Sequence, residues 1–201
     1  MTAWQDQPRL EGQHVRLLPL EAAHADSIAE VSRDGRLWEL FFTRVPSPDD
    51  VPSWLETALA EKAAGRSMPF VVEAGGRIVG ATRYLRMNEA HRRLEIGATF
   101  YAKSVQRSPV NTECKLLLLG HAFEAMGCNV VQIRTDWLNH ASQRAIERLG
   151  AKRDGVLRNH QIAVDGRVRD IVCYSIIATE WTGVKQNLEF MLSRNREPAP
   201  Q

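Results

Sequence analysis

The sequence predicts a single α/β domain in which helices cross over a mixed, mostly antiparallel sheet. Three observations carry this. The hydrophobic period changes from helical to alternating at Pro69. The glycine turn signals Gly75-Gly76 and Asp165-Gly166 separate extended runs. A long segment with one apolar face, 112–126, lies between two extended runs, as a helix packed on a sheet would.

Each element has its own reason. His14 to Leu20 is rich in Val and Leu and alternates loosely, predicting a strand. Glu21 to Arg33 places Ala22, Ala25, Ile28, Ala29 and Val31 at near-helical spacing. Pro46, Pro48 and Pro52 punctuate the next stretch, where Ser47 or Asp49 would cap a helix carrying Trp54, Leu55, Ala58 and Leu59 and ending near Gly65. Phe70 to Ala74, Arg77 to Met87 and Arg92 to Ala102 form an antiparallel meander, its first turn at Gly75-Gly76. The helix over 112–126 closes at Gly127. Asn129 to Trp137 is a strand, Ala141 to Leu149 a short helix ending at Gly150, and 153–164 with 167–179 a final hairpin. One domain over 1–194 and a fraying tail over 195–201, with Pro198 and Pro200, complete the organisation.

Composition bounds the function. The chain has 201 residues, 44% hydrophobic and 25% charged, which excludes a disordered chain, a fibre and a disulfide scaffold. A net charge of +2 gives no reason to expect a nucleic-acid partner, and no apolar run is long enough for a bilayer. The charge is uneven: residues 1–100 carry 12 Lys and Arg against 14 acids, and residues 101–201 carry 14 against 10. An anionic ligand would therefore sit nearer the second half. Cys114, Cys128 and Cys173 have no metal-ligand spacing and read as buried thiols, and no metal is expected. The N-terminus lacks an apolar signal region, so the cytoplasm is the expected compartment.

Two segments bear chemistry. In the first, a strand runs through Tyr101 into Gln106-Arg107-Ser108-Pro109-Val110-Asn111, which opens the long helix. A helix N-terminus offers free N–H groups and a positive dipole end to an anion, and Arg107, Ser108, Asn111 and Thr112 add charge and short polar groups. Asn111 or Thr112 would equally serve as a plain cap. In the second, the strand over 129–137 ends at Asn139, with Ser142 in the first turn of the next helix. Strand ends in α/β sheets are where ligands bind, though Asn139 and Ser142 would also suit a cap. Arg144 and Arg148 share one helix face.

Together these segments resemble the GCN5-related N-acetyltransferase (GNAT) superfamily, and within it the RimJ/RimL-type protein N-acetyltransferases. The matching pieces are L-E-I-G-A at 94–98, H-A-F-E at 121–124, N-H-A-S at 139–142, E-R-L-G-A at 147–151, D-G-V-L-R at 154–158 and S-I-I-A-T-E-W at 175–181. The likeness runs from V-R-L-L-P-L at 15–20 to Trp181.

The resemblance implies a V-splayed sheet and transfer of an acetyl group from acetyl-CoA to a primary amine, either small or at a protein N-terminus. The pantetheine of coenzyme A would lie between the strands at 92–102 and 129–137. Main-chain groups at Phe100, Tyr101 and Ala102 would pair with it, and Asn139 would contact it. The loop from Gln106 through Arg107, Ser108, Val110 and Asn111 to Thr112 would hold the pyrophosphate, with Arg144 nearby. Glu95 is the first candidate for general base and Asp136 the second. Ser142, at the serine position of RimL-type enzymes, would act in catalysis or contact the thiol. A homodimer is common in the family. Trp38, Phe41 and Phe42 lie where the family builds its acceptor pocket, and His140 and His160 are further substrate candidates.

This chain departs from the family pattern twice. Pro109 and Asn111 stand at the glycine positions of the phosphate loop, and proline lacks an N–H. Ile146 stands where some members carry an acidic tyrosine. Two alternatives follow: a CoA-binding or regulatory module without turnover, and a protein-interaction scaffold that binds no CoA.

Overall fold

The computed structural model describes residues 2–163 and 165–194. The strands are β1 (Leu10–Glu11), β2 (Arg16–Pro19), β3 (Ser67–Ala74), β4 (Arg77–Asn88), β5 (Arg93–Tyr101), β6 (Val130–Asp136), β7 (Lys152–Ile162) and β8 (Val168–Ile177). The helices are α1 (Ala25–Arg33), α2 (Val51–Ala63), α3 (Val110–Gly120), α4 (His140–Arg148) and α5 (Trp181–Arg194). The strands make one open sheet in the order β1-β2-β3-β4-β5-β6-β8-β7. Neighbours are antiparallel except β5 and β6, which α3 joins by a crossover.

The predicted meander is β3-β4-β5, and both glycines of its first turn take positive φ, at 57° and 75°, as a tight hairpin requires. Before α2, the Ser47 hydroxyl accepts the Asp50 amide at 3.3 Å across a short 3-10 turn with Pro48 at its start. The long helix departs from its predicted bounds. It starts two residues earlier, with Pro109 as cap, so neither Asn111 nor Thr112 caps it. It ends in a π-helical turn over His121–Ala125 before Gly127.

Two elements escaped the sequence reading. β1 is only two residues long. The other, α5, buries Trp181, Val184, Leu188 and Leu192, a stripe at helical spacing diluted by Gly183 and a polar Lys185-Gln186-Asn187 run. The expected tail at 195–201 lies outside the described residues.

The sheet has a core on each face. On one, Leu94, Ile96, Val131, Ile133, Val172 and Tyr174 pack against Cys114 and Leu118 of α3, Leu149 at the end of α4 and Leu188 of α5. On the other, Val71, Ala81 and Phe100 pack against Ile28 and Val31 of α1 and Leu55 and Ala58 of α2. All three cysteines are buried and free. No helix among the described residues is long and apolar enough to cross a membrane.

Glu113 fixes α3 to the first strands. Its carboxylate is buried and accepts the amides of Gln13, His14 and Val15 at 2.9, 2.5 and 2.8 Å. The turn must run close to it, since a Cβ on Gly12 would stand 2.5 Å from the Glu113 carboxyl carbon. Hydrogen bonds to a charged acceptor contribute about 1.5–3 kcal/mol each, and orphaned buried amides are costly. Glu113→Ala should therefore lower unfolding free energy by roughly 2–4 kcal/mol in urea titration; a loss under about 0.5 kcal/mol would remove Glu113 from this role.

Candidate active site

β5 and β6 pair through only three residues, Arg93 with Val130, Leu94 with Val131 and Glu95 with Gln132. Both strands run on, to Tyr101 and Asp136, without pairing to each other. β5 stays with β4 across a bulge at Ala98, where φ is +47°, and β6 stays with β8 along its whole length. The result is a seam with its vertex at Glu95 and its mouth where α3 and α4 begin.

Alternation sets what faces each way. Leu94 and Ile96 enter the core under α3, so Glu95 between them points to the opposite face. Glu95 is buried and meets Arg86 Nε at 2.9 Å and Arg134 Nε at 3.3 Å. Burial lifts its carboxyl above the ordinary glutamate range, against the pull of the two guanidiniums.

Asp136 lies on the same face and is engaged on all sides. Its carboxylate accepts the Leu138 amide at 2.8 Å and bonds Arg169 Nε at 2.7 Å and Arg167 Nη2 at 3.2 Å. Burial works to raise it, but the Leu138 amide and the Arg169 and Arg167 guanidiniums outweigh burial and hold it below its ordinary range. A group so placed is a poor proton acceptor near neutral pH.

The mouth carries the two helix N-termini. Asn139 caps α4 by accepting the Ser142 amide at 3.0 Å, and half-buried Ser142 follows in the first turn. In the other loop Arg107 is exposed and takes the left-handed conformation, φ +64°. The Ser108 hydroxyl donates to the Val105 carbonyl at 2.6 Å and accepts the Val110 amide at 3.3 Å. Asn111 and Thr112 sit in the first turn of α3, and their amides have no backbone partner among the described residues. The Thr112 hydroxyl accepts from Arg148 at 3.2 Å, a bridge from α4 to α3, while Arg144 lies one turn earlier.

Some expected groups are already occupied. The Ala102 amide bonds Val79 of β4, and the Tyr101 carbonyl accepts Gln106 Nε2 at 3.2 Å. The Phe100 ring turns away into the α2 core against Trp54. Ile146 is part of the core. His140 and His160 are exposed, and no cluster of three metal-ligating side chains occurs among the described residues.

Four features of the site went unread in the sequence. Arg86 and Arg134 flank Glu95, and Arg167 and Arg169 flank Asp136. The 40–44 loop crosses to the last hairpin, with Phe41 and Phe42 carbonyls accepting Arg167 and Arg169. Buried Lys115 donates to Thr99 Oγ1 at 3.0 Å just past the bulge, its amine lowered by burial. Charged residues at 113 and 115 within an otherwise apolar helix face were the readable signal for buried charge.

Comparison with known proteins agrees with this architecture. Residues 14–152 match the family model of the acetyltransferase (GNAT) domain. YdaF of Bacillus subtilis (strain 168), named as a candidate ribosomal N-acetyltransferase, is 29% identical over 180 residues, covering 86% of this chain and 96% of that protein. The crystal structure of a candidate acetyltransferase from T. thermophilus superposes with a TM-score of 0.82 at 38% identity, over 92% of this chain and 96% of that one. Mycobacterium smegmatis RimJ, solved in complex with CoA-disulfide, shares the fold with a TM-score of 0.77 at 23% identity, over 95% of this chain and 97% of that one.

The ion pairs of Asp136 make a stability prediction. Asp136→Asn leaves two guanidiniums short of an anion and should cost roughly 2–4 kcal/mol at pH 7. Because the folded carboxyl is held low, this contribution is full above the unfolded pKa of about 3.9 and is lost as pH falls through the lower folded value. Urea unfolding at pH 7 and pH 3 should show a smaller gap between wild type and variant at pH 3. A gap independent of pH would contradict the pairing.

Proposed function

We propose that this chain, which belongs to the GNAT acetyltransferase family, transfers an acetyl group from acetyl-CoA to a primary amine at the β5–β6 seam. The observation that carries the reading is the seam itself, two strand edges without mutual partners, with a buried carboxylate at the vertex and free helix amides at the mouth. Backbone groups left unpaired this way need water or a ligand's amides. The residues present therefore suit a long, amide-bearing arm ending in phosphates.

Coenzyme A supplies the acyl group as a thioester. Its phosphates fit the Asn111 and Thr112 amides with Arg107, while Arg144 extends the positive edge. The open edges of β5 and β6 fit its pantetheine. Asn139 uses its side-chain carbonyl oxygen as the α4 cap, so its NH2 remains for contact there.

The acceptor amine must shed a proton before it can attack. Glu95 is the base we assign, directly or through one water, since its carboxyl is raised towards working pH. Asp136 we assign to holding the last hairpin, because two guanidiniums and a backbone amide already hold its carboxylate. Ser142 offers a hydroxyl at the α4 N-terminus, where the positive dipole end favours a departing thiolate. The name of the Bacillus relative supports a protein α-amine as acceptor, and with it a cytoplasmic place of action.

Release of free thiol from acetyl-CoA, measured with a panel of peptides and small amines, tests the reading. Glu95→Gln should lower kcat/KM by about 100- to 1,000-fold with CoA affinity unchanged. It should also remove an acid limb lying above the ordinary glutamate range. Arg107→Glu should weaken CoA about tenfold by calorimetry, and unchanged affinity would sink the loop assignment. CoA binding without thiol release for any amine would favour the module without turnover.

A further inference from the structure

The face of the sheet that carries Glu95 is overlaid by arginines. Arg86 and Arg134 meet Glu95, and Arg167 and Arg169 meet Asp136. A fifth, Arg44, belongs to the loop that crosses this face. Its one hydrogen bond among the described residues is to the Gln161 side-chain carbonyl at 3.0 Å, and it has no carboxylate partner there. Partial desolvation, then the like charges of Arg169 and Arg86, push its guanidinium down, so no acid among the described residues balances it. Asp154, farther along the face, is taken by the Ser175 hydroxyl at 2.7 Å.

The floor is buried and its charges are paired, whereas the outer layer is cationic and in surplus. Glu95 and Asp136 are 6% and 2% exposed. By contrast the Arg86 side chain is 53% exposed and Arg44 is exposed. Arg167 Nε is buried with no acceptor among the described residues, so the layer also holds an unspent donor.

An amine approaching Glu95 from this face arrives as an ammonium. Uncompensated guanidiniums repel it, and most strongly if it belongs to a polyamine or a lysine-rich segment. A carboxylate carried close behind the amine reverses the sign of the encounter. It would use Arg44 and Arg86, and the same cationic surroundings then favour loss of the ammonium proton.

We infer that the acceptor is an acidic amine, a primary amine with a carboxylate within a residue or two of it, and that Arg44 is the residue that selects it. This rests on the acetyltransferase reading of the seam and goes beyond it by naming the acceptor's charge. The carboxylate has two sources, an Asp or Glu near a protein N-terminus and a free dicarboxylic amino acid.

The test compares three peptides that share a first residue and carry Asp-Glu, Gln-Asn or Lys-Arg next, together with free aspartate and glutamate. Thiol release and equilibrium binding to the CoA-saturated protein are both measured. The acidic peptide should exceed the basic one by about tenfold or more in kcat/KM and in affinity, with the gap narrowing as salt rises. Arg44→Ala should cut the acidic peptide about tenfold and leave the neutral one within about twofold, and Arg44→Glu should turn the preference towards the basic peptide. Free dicarboxylic amino acids outperforming every peptide would uphold the acidic acceptor and assign it to a small molecule. Equal handling of the three peptides, or a basic preference in the wild type, overturns the inference. The binding arm decides even without turnover, whereas failure to bind CoA at all would fall on the acetyltransferase reading itself.

Discussion

β5 cannot stay hydrogen-bonded to both neighbours beyond Glu95, and the rest of the molecule is arranged around that constraint. A bulge at Ala98 keeps it in step with β4, while β6 is held by β8 from Val130 to Asp136. Each strand has its lasting partner on its outer side. The inner edges therefore part, and the backbone groups along them are left to solvent or to a ligand. An unpaired edge inside a sheet is otherwise a liability, through lost hydrogen bonds and through pairing with foreign strands. Here it is confined to the seam between two halves of one sheet, each half held by its own ladder.

Such a cleft keeps its shape only if the elements at its mouth are fixed. α3 does this with two buried charges two residues apart. Glu113 reaches the β1–β2 turn and Lys115 reaches Thr99 on β5. Because they point to different elements they do not neutralise each other, and each anchors the helix to a separate part of the sheet. Thr99 in turn bonds Thr82 of β4 at 2.8 Å, which ties the β5 segment beyond the bulge to the helix and to β4 together. Arg148 then carries the restraint across to α4 through Thr112. The free amides of Asn111 and Thr112 thus project from a helix held at several points.

The fold was legible wherever local pattern decides it. The meander and its glycine turn, β6, α4 with its Asn139 cap, and the last hairpin all rest on periodicity and turn chemistry within short windows. α5 was missed because its apolar stripe is one residue wide and broken by a glycine. Glu95 and Ser142 were readable as candidates from their place at a strand and a helix start. The state of Asp136 was not, because Arg167 and Arg169 belong to the last hairpin, about thirty residues on in sequence. The arginine layer was hidden for the same reason. Arg86 and Arg169 come from β4 and β8, and only the loop crossing at 40–44 adds Arg44 to their face. Net charge by half-chain pointed to the second half, yet two of these three arginines lie in the first.

The 106–112 loop, where we propose that phosphate binds, shows how a departure in sequence is absorbed by geometry. Glycines at 109 and 111 would matter if the backbone turned left-handed there, but Pro109 has φ −60° and α3 is already helical from Val110. The left-handed turn falls instead on Arg107, at a cost of about 1–2 kcal/mol for a residue with a Cβ. Proline at the cap gives up an N–H that an anion would have used, and Ser108 occupies the next one, on Val110. That leaves two free amides and one exposed guanidinium. The loop has exchanged close backbone contact, which is short-ranged and little affected by ions, for the charge of a side chain, which acts farther but is screened by salt. The strain at Arg107 is then the cost of putting that charge in the loop ahead of α3 rather than on the helix itself.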